Sequence, residues 1–190
     1  MRTNLIVTIG LLAIAACHPP APSKPSAPQA EPDAPAGDPH DFDFELGTWT
    51  MHLKRLVHPL SGSTTWIELD GSSITRPIWN GVANLGEIDL AGAGAHIQGL
   101  SLRLFDPEAH RWNISFANAK TGELGAPPMV GGFQAGRGVF YDHETLDGRP
   151  IRARFVFSAI TATAFHFEQA FSTDEGATWE VNWIADFKRT

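Results

Sequence analysis

The sequence predicts an antiparallel up-and-down β-barrel of about 8–10 strands, with a β-sandwich as the second choice. Three observations lead there. From Phe44 onward, runs of alternating apolar and polar residues are bounded by Gly, Pro, Asp and Asn. Successive runs are joined by short loops, which favours neighbours pairing in sequence order. No segment after the N-terminal stretch keeps a helical period. A sheet of about ten strands must curl or close, and closure removes its edges.

The strands follow in order. Phe44 to His58 is the first, with Trp49, Met51, Leu53, Arg55 and Val57 on one side. Ser63–Asp70 and Ser72–Trp79 come next, and Asp70-Gly71 between them is a hairpin signal. Val82–Leu90 has the weakest pattern. His96–Phe105 and Arg111–Asn118 flank Asp106-Pro107-Glu108-Ala109-His110. Pro128–Gln134 and Gly138–Asp142 flank Ala135-Gly136-Arg137. Pro150–Ser158 follows Asp147-Gly148-Arg149. Thr163–Ser172 and Ala177–Phe187 close the chain.

The first forty residues read differently. Leu5–Ala16 is an apolar run of 12 residues behind Arg2. It is short for a spanning helix, which needs ~20 residues, and fits the core of a secretory signal. The run ends Ile14-Ala15-Ala16-Cys17, and Cys17 is the only cysteine. This resembles a bacterial lipoprotein lipobox, with residues 1–16 as signal peptide and Cys17 as the acylated residue. The resemblance implies an envelope protein anchored by two or three acyl chains, since one chain binds a membrane only marginally. His18 rather than Asp follows the cysteine, and by the same resemblance the outer membrane, facing the periplasm, is the expected address.

His18–His40 carries 8 Pro in 23 residues and no large apolar side chain, so residues 17–40 are expected to form an extended tether. All 6 Trp, all 12 Phe and the single Tyr lie beyond Asp41, and residues 41–190 make one domain. Asp and Glu total 21 against 14 Lys and Arg, a net charge of −7. Nucleic acid is therefore not an expected partner, because phosphate binding needs a basic surface. A lone cysteine excludes an internal disulfide framework and any cysteine-based zinc site.

Gly47-Thr48-Trp49 opens the first strand, and Lys188-Arg189 ends the last. This resembles the calycin superfamily, which includes lipocalins, fatty-acid-binding proteins and nitrobindin-like barrels. The resemblance implies that the Trp49 indole plugs one barrel end and that Lys188 or Arg189 packs across it. The segments FDFELGTW, LRLFDPEAHRW and FSTDEGATWEVNW are also similar to those of uncharacterised bacterial proteins with lipocalin-like barrels. Nitrobindin-like relatives bind haem through a late histidine. The last strand here has none, and Thr50-Met51-His52 replaces that group's further glycines, so no haem or other cofactor is expected. Ser172-x-Asp174-x-Gly176-x-Thr178-Trp179 matches the Asp-box of sialidase-like propellers. A single copy cannot build a propeller and is expected to be a structural hairpin.

The late strands sort their faces. Phe155, Phe157, Phe165, Phe167, Gln169, Trp179 and Trp183 fall on one side. Arg152, Arg154, His166, Glu168, Glu180 and Asn182 fall on the other. An aqueous exterior places the aromatic side inward. The expected lining is Trp49, Met51, Arg55, Trp112, Phe116, Phe155, Phe157, Phe167, Gln169 and Trp183, with the direction of Arg103 open. Such a lining suits a small hydrophobic or amphipathic ligand, and an inward arginine would favour a carboxylate or phosphate headgroup. Two alternatives stand beside this one. His166 and Glu168, two residues apart on one strand face, could serve as base and orienter of an enzyme acting on a small apolar substrate. Otherwise the aromatics simply fill the barrel, and the protein is structural. No metal site is expected from the scattered histidines.

Overall fold

The computed structural model describes residues 35–190. The signal segment, Cys17 and most of the expected tether lie outside the described residues.

Ten strands follow in order: β1 Gly47–Leu56, β2 Trp66–Ile78, β3 Ala83–Gly92, β4 Ala95–Asp106, β5 Arg111–Asn118, β6 Met129–Gln134, β7 Arg137–Leu146, β8 Arg149–Ser158, β9 Ala164–Ser172 and β10 Glu180–Arg189. Each pairs antiparallel with its neighbours in sequence. β10 returns to β1, from Trp49 opposite Arg189 to Arg55 opposite Trp183. The barrel is closed and up-and-down, which fits a calycin-like fold.

Three local readings of the sequence are corrected. The Asp70-Gly71 signal makes no hairpin. β2 runs unbroken through it, with Gly71 opposite both Met51 and Leu90. Glycine is needed there because β3 approaches so closely that a Cβ would strike the Asp89 carbonyl. Pairing on both sides of β2 outweighs the local turn preference.

The second correction concerns the last strand. The register between β10 and β9 shifts between Val181 and Trp183, leaving Asn182 as an extra residue. One inserted residue reverses the alternation before it. Trp179 therefore lies on the outer face, where the Arg154 guanidinium sits 4.4 Å from its ring centroid and Tyr141 lies at 6.0 Å. Glu180 and Asn182 are drawn inward in its place. Glu180 accepts a hydrogen bond from the Leu60 N–H, and Asn182 is buried.

The third correction is at the N-terminal boundary. Residues 35–40 lie against the barrel instead of leaving it as tether. The Gly37 N–H donates to the His110 carbonyl (2.8 Å), and Trp112 Nε1 donates to the Asp38 carbonyl (2.9 Å).

The chain then enters the barrel end. A 3₁₀ turn at Asp43–Glu45 carries Phe42 and Glu45 into the interior. Phe42 meets Trp112, Phe133 and Phe157 edge-on at 5.0, 4.9 and 5.4 Å. Trp49 is fully buried beside this turn and donates to the Glu45 carbonyl at 2.7 Å. Of the two basic residues the calycin resemblance offered, Arg189 is the one that packs over the indole, 4.1 Å from its centroid. Its guanidinium donates to the carbonyls of Leu46, Phe44 and Ala162 at 2.8–2.9 Å. Lys188, one residue earlier on the alternating strand, is exposed.

The Asp-box residues form the β9–β10 turn. The Ser172 hydroxyl donates to Asp174 (2.7 Å) and accepts from the Gly176 N–H (2.8 Å). Asp174 also accepts from the Thr178 hydroxyl and N–H at 2.6 and 2.8 Å. The Thr178 hydroxyl and N–H, then the Ser172 hydroxyl, hold the Asp174 carboxyl down to about 2. Gly176 takes φ +91°, where a side chain would be strained, and Trp179 packs against it.

Candidate functional site

Two chambers occupy the barrel interior. The deeper one has a volume of about 700 Å³, within the usual size of a small-molecule site. In the strand order β3 lies five places from β8 in either direction, so the two face each other across the lumen. The chamber's walls differ accordingly. On β8–β10 the inward positions are Phe155, Phe157, Phe167, Trp183 and Phe187. On β2 and β4 they are Ser73, Ser101 and Arg103, with Glu45 reaching in from the 3₁₀ turn. One wall is aromatic, and the other carries these polar groups beside Ile88 of β3.

Glu45 and Arg103 form a buried ion pair. Arg103 Nη2 donates to Glu45 Oε1 at 2.8 Å, and Nη1 donates to Asn84 Oδ1 at 2.9 Å. Both side chains are more than nine-tenths buried. Burial pushes the Glu45 carboxyl above the usual carboxylate range, and Arg103 offsets part of that. Glu45 Oε2, Arg103 Nε and Thr75 Oγ1 have no hydrogen-bond partner among the described residues. Gly86 makes room for this group, since a Cβ there would come within 3.0–3.4 Å of Ser101 Oγ, Thr75 Oγ1 and Arg103 Nη1.

The chamber opens sideways. β5 and β6 share only three register pairs, Trp112 to Ile114. β6 pairs with β7 only as far as Tyr141. Beyond those points the wall gives way to the 119–128 loop. Ser115, Phe116, Gly125, Ala126 and Pro127 line one side of the opening, and His143, Glu144 and Thr145 line the other. Phe116 and Leu124 are exposed at this rim.

The second chamber, about 730 Å³, lies toward the opposite barrel end. Arg55, His58, Leu60, Leu146, Arg149, Ile151 and Phe171 are among its walls. Gln169 and Trp183 line both chambers, and Gln169 Nε2 donates to Asn182 Oδ1 at 2.8 Å between them.

The residues expected to line a pocket therefore divide. Met51, Arg103, Phe116, Phe155, Phe157, Phe167, Gln169 and Trp183 border the deep chamber. Arg55 borders the second. Trp49 and Trp112 border neither. They face inward, but residues 35–46 pack over that barrel end and take both indole N–H groups. The expectation of an anion at an inward arginine fails for Arg103, whose charge is already met by Glu45.

The catalytic pairing of His166 and Glu168 is also corrected. Both lie on the outer face, because Phe165, Phe167 and Gln169 take the inward positions of β9. His166 Nδ1 meets Asp186 at 2.7 Å and Nε2 meets Glu168 at 3.4 Å, across and along the strand surface. Partial burial works to lower the His166 pKa, but the hydrogen bonds to Asp186 and Glu168 outweigh it, and the net direction is upward. This is a cross-strand ion network remote from the chambers.

Sequence reasoning missed Glu45, Ser73, Ser101, Met129, Asp142 and Phe187 as lining residues. For Glu45 no signal existed, since Phe42-Asp43-Phe44-Glu45-Leu46 alternates and puts Glu45 on the same side as the exposed Asp43.

No family model and no curated protein matches this chain. Solved structures do match. One, described as "Structure of EF1p2_mFAP2b bound to DFHBI", is 10% identical over 80% of this chain and 98% of that one, with a TM-score of 0.44. At that distance the likeness has no bearing on function, and the barrel rests on its own strand pairing.

Proposed function

We propose that this protein is a lipid-anchored envelope protein whose barrel holds a small apolar or amphipathic molecule without altering it. The observation that carries the reading is the deep chamber. A volume of about 700 Å³ remains between an aromatic wall and a polar one, inside a closed barrel with a lateral opening. Burial of an apolar ring against Phe155, Phe157, Phe167 and Trp183 supplies the driving force. Ser73, Ser101 and the unpartnered atoms of the Glu45–Arg103 pair offer orientation to a neutral polar group. Space of this size weighs against the filled, purely structural barrel. The outward position of His166 and Glu168 weighs against the enzyme.

The test uses N-phenyl-1-naphthylamine, a neutral fluorophore that brightens in apolar surroundings, with residues 17–190 carrying Cys17→Ser in the absence of detergent. Saturable enhancement at one probe per chain is expected. Ser101→Phe, which fills the chamber from its polar wall, should weaken it at least tenfold with the thermal transition retained. Ile88→Phe repeats the test from a neighbouring strand. A folded protein that gives no enhancement, or variants that bind as well as the parent, would end the proposal.

The anchor is tested separately. In cells, the intact chain should incorporate an alkyne-tagged fatty acid, and Cys17→Ser should abolish the label. Labelling that survives the substitution removes the anchor and leaves the barrel reading standing.

A further inference from the structure

Building on the lumenal binding reading, we infer that the second chamber is a headgroup subsite for an anionic amphiphile. Arg55 and Arg149 would meet a carboxylate, phosphate or sulfonate there, and the apolar body would pass Gln169 and Trp183 into the aromatic chamber.

The inference starts from strand parity. On β1 the inward positions run Trp49, Met51, Leu53 and then Arg55. On β8 they run Phe157, Phe155, Ala153, Ile151 and then Arg149. The inward rungs are apolar one after another, and the series ends in an arginine on both strands at the solvent-exposed barrel end. Both guanidiniums border the same chamber, which His58 also lines.

These charges are not consumed by the protein. Arg103 is paired with Glu45, Arg76 with Glu87 and Lys54 with Glu68. Arg152, Arg154 and Arg189 lie over aromatic rings. Arg55 and Arg149 make no ion pair, side-chain hydrogen bond or ring contact among the described residues. The acidic groups nearby are Asp147, which lines the chamber, and Glu180, whose Oε1 accepts from the Leu60 N–H. Two uncompensated guanidiniums at a concave mouth, on a chain of net charge −7, form a local anion site.

The geometry also sets the order of the ligand. Trp183 and Gln169 line both chambers, so the two cavities abut at these side chains. The deep chamber's own arginine is neutralised, which makes that end suited to the uncharged part. The anion belongs at the Arg55–Arg149 mouth.

Two probes with nearly the same body separate the claims on the chain of residues 17–190 carrying Cys17→Ser. 8-Anilinonaphthalene-1-sulfonate is anionic, and N-phenyl-1-naphthylamine is its neutral counterpart. Arg55→Gln/Arg149→Gln should weaken the sulfonate about tenfold, the scale of a lost charged hydrogen bond, and leave the neutral probe within about twofold. Raising NaCl from 50 to 500 mM should weaken the sulfonate alone. If the double variant fails to fold, each single variant and the salt titration of the parent carry the same discrimination. Sulfonate binding unchanged in the variants, or both probes weakened together, overturns the headgroup subsite while lumenal binding survives. Displacement of the sulfonate by inorganic phosphate at concentrations no higher than octyl phosphate requires would show a site for free anions and overturn the amphiphile. Failure of both probes to bind the parent overturns the lumenal reading itself.

Discussion

Arg103→Ala should destabilise the barrel by about 3–5 kcal/mol, because it strands the Glu45 carboxylate in the interior. Domains of this size have a total stability of about 5–15 kcal/mol, so the loss is a large share of the whole. The reasoning is in the geometry. Glu45 reaches the lumen from a 3₁₀ turn, and the Arg103 contact at 2.8 Å is its only side-chain hydrogen bond among the described residues. Arg103 in turn satisfies Asn84. Deleting Arg103 leaves the Glu45 carboxylate and the Asn84 carbonyl without their partner, whereas deleting both charges leaves no ionised group there. Glu45→Met/Arg103→Met should therefore cost far less than either single substitution. Urea unfolding of the two singles and the double gives the coupling directly. A single variant within about 1 kcal/mol of the parent would mean that water already reaches the pair.

Trp49→Ala should cost about 3–5 kcal/mol, the usual range for emptying a buried aromatic site. Trp49 is fully buried, stacks edge-on with Phe165 at 4.9 Å, and fixes the turn by donating to the Glu45 carbonyl. The same residue supports the Arg189 guanidinium, which ties three carbonyls from two separate segments to the barrel end. The loss should thus extend to the docking of residues 35–46. Hydrogen exchange at the Trp112 indole N–H, bonded to the Asp38 carbonyl, reports that docking. It should quicken sharply in Trp49→Ala. Arg189→Lys should show the smaller form of the defect, since one ammonium cannot reproduce a planar fork of donors. Unfolding midpoints that barely move would show that the barrel end closes without the indole.

Much of the barrel was legible because strand alternation is a local signal of period two. Phe155, Phe157, Phe167 and Gln169 follow it, and each lines the lumen. Where alternation breaks, the sequence misleads. Trp179 reads as inward and lies outside, because the extra residue Asn182 is defined only against β9. Gly71 reads as a turn and is a strand interior, because its meaning depends on how near β3 comes. Arg103 had no readable direction, since its partner Glu45 lies 58 residues earlier.

By itself, the sequence determined the strand pattern, the aromatic side of the late strands and the turn chemistry of Ser172–Thr178. These depend on neighbours within a few residues. The tertiary structure alone decided that the lumen stays open, that its buried arginine is neutralised, and that Arg55 and Arg149 share a mouth. Those facts are sums over strands far apart in the chain, and only closure of the sheet brings the terms together.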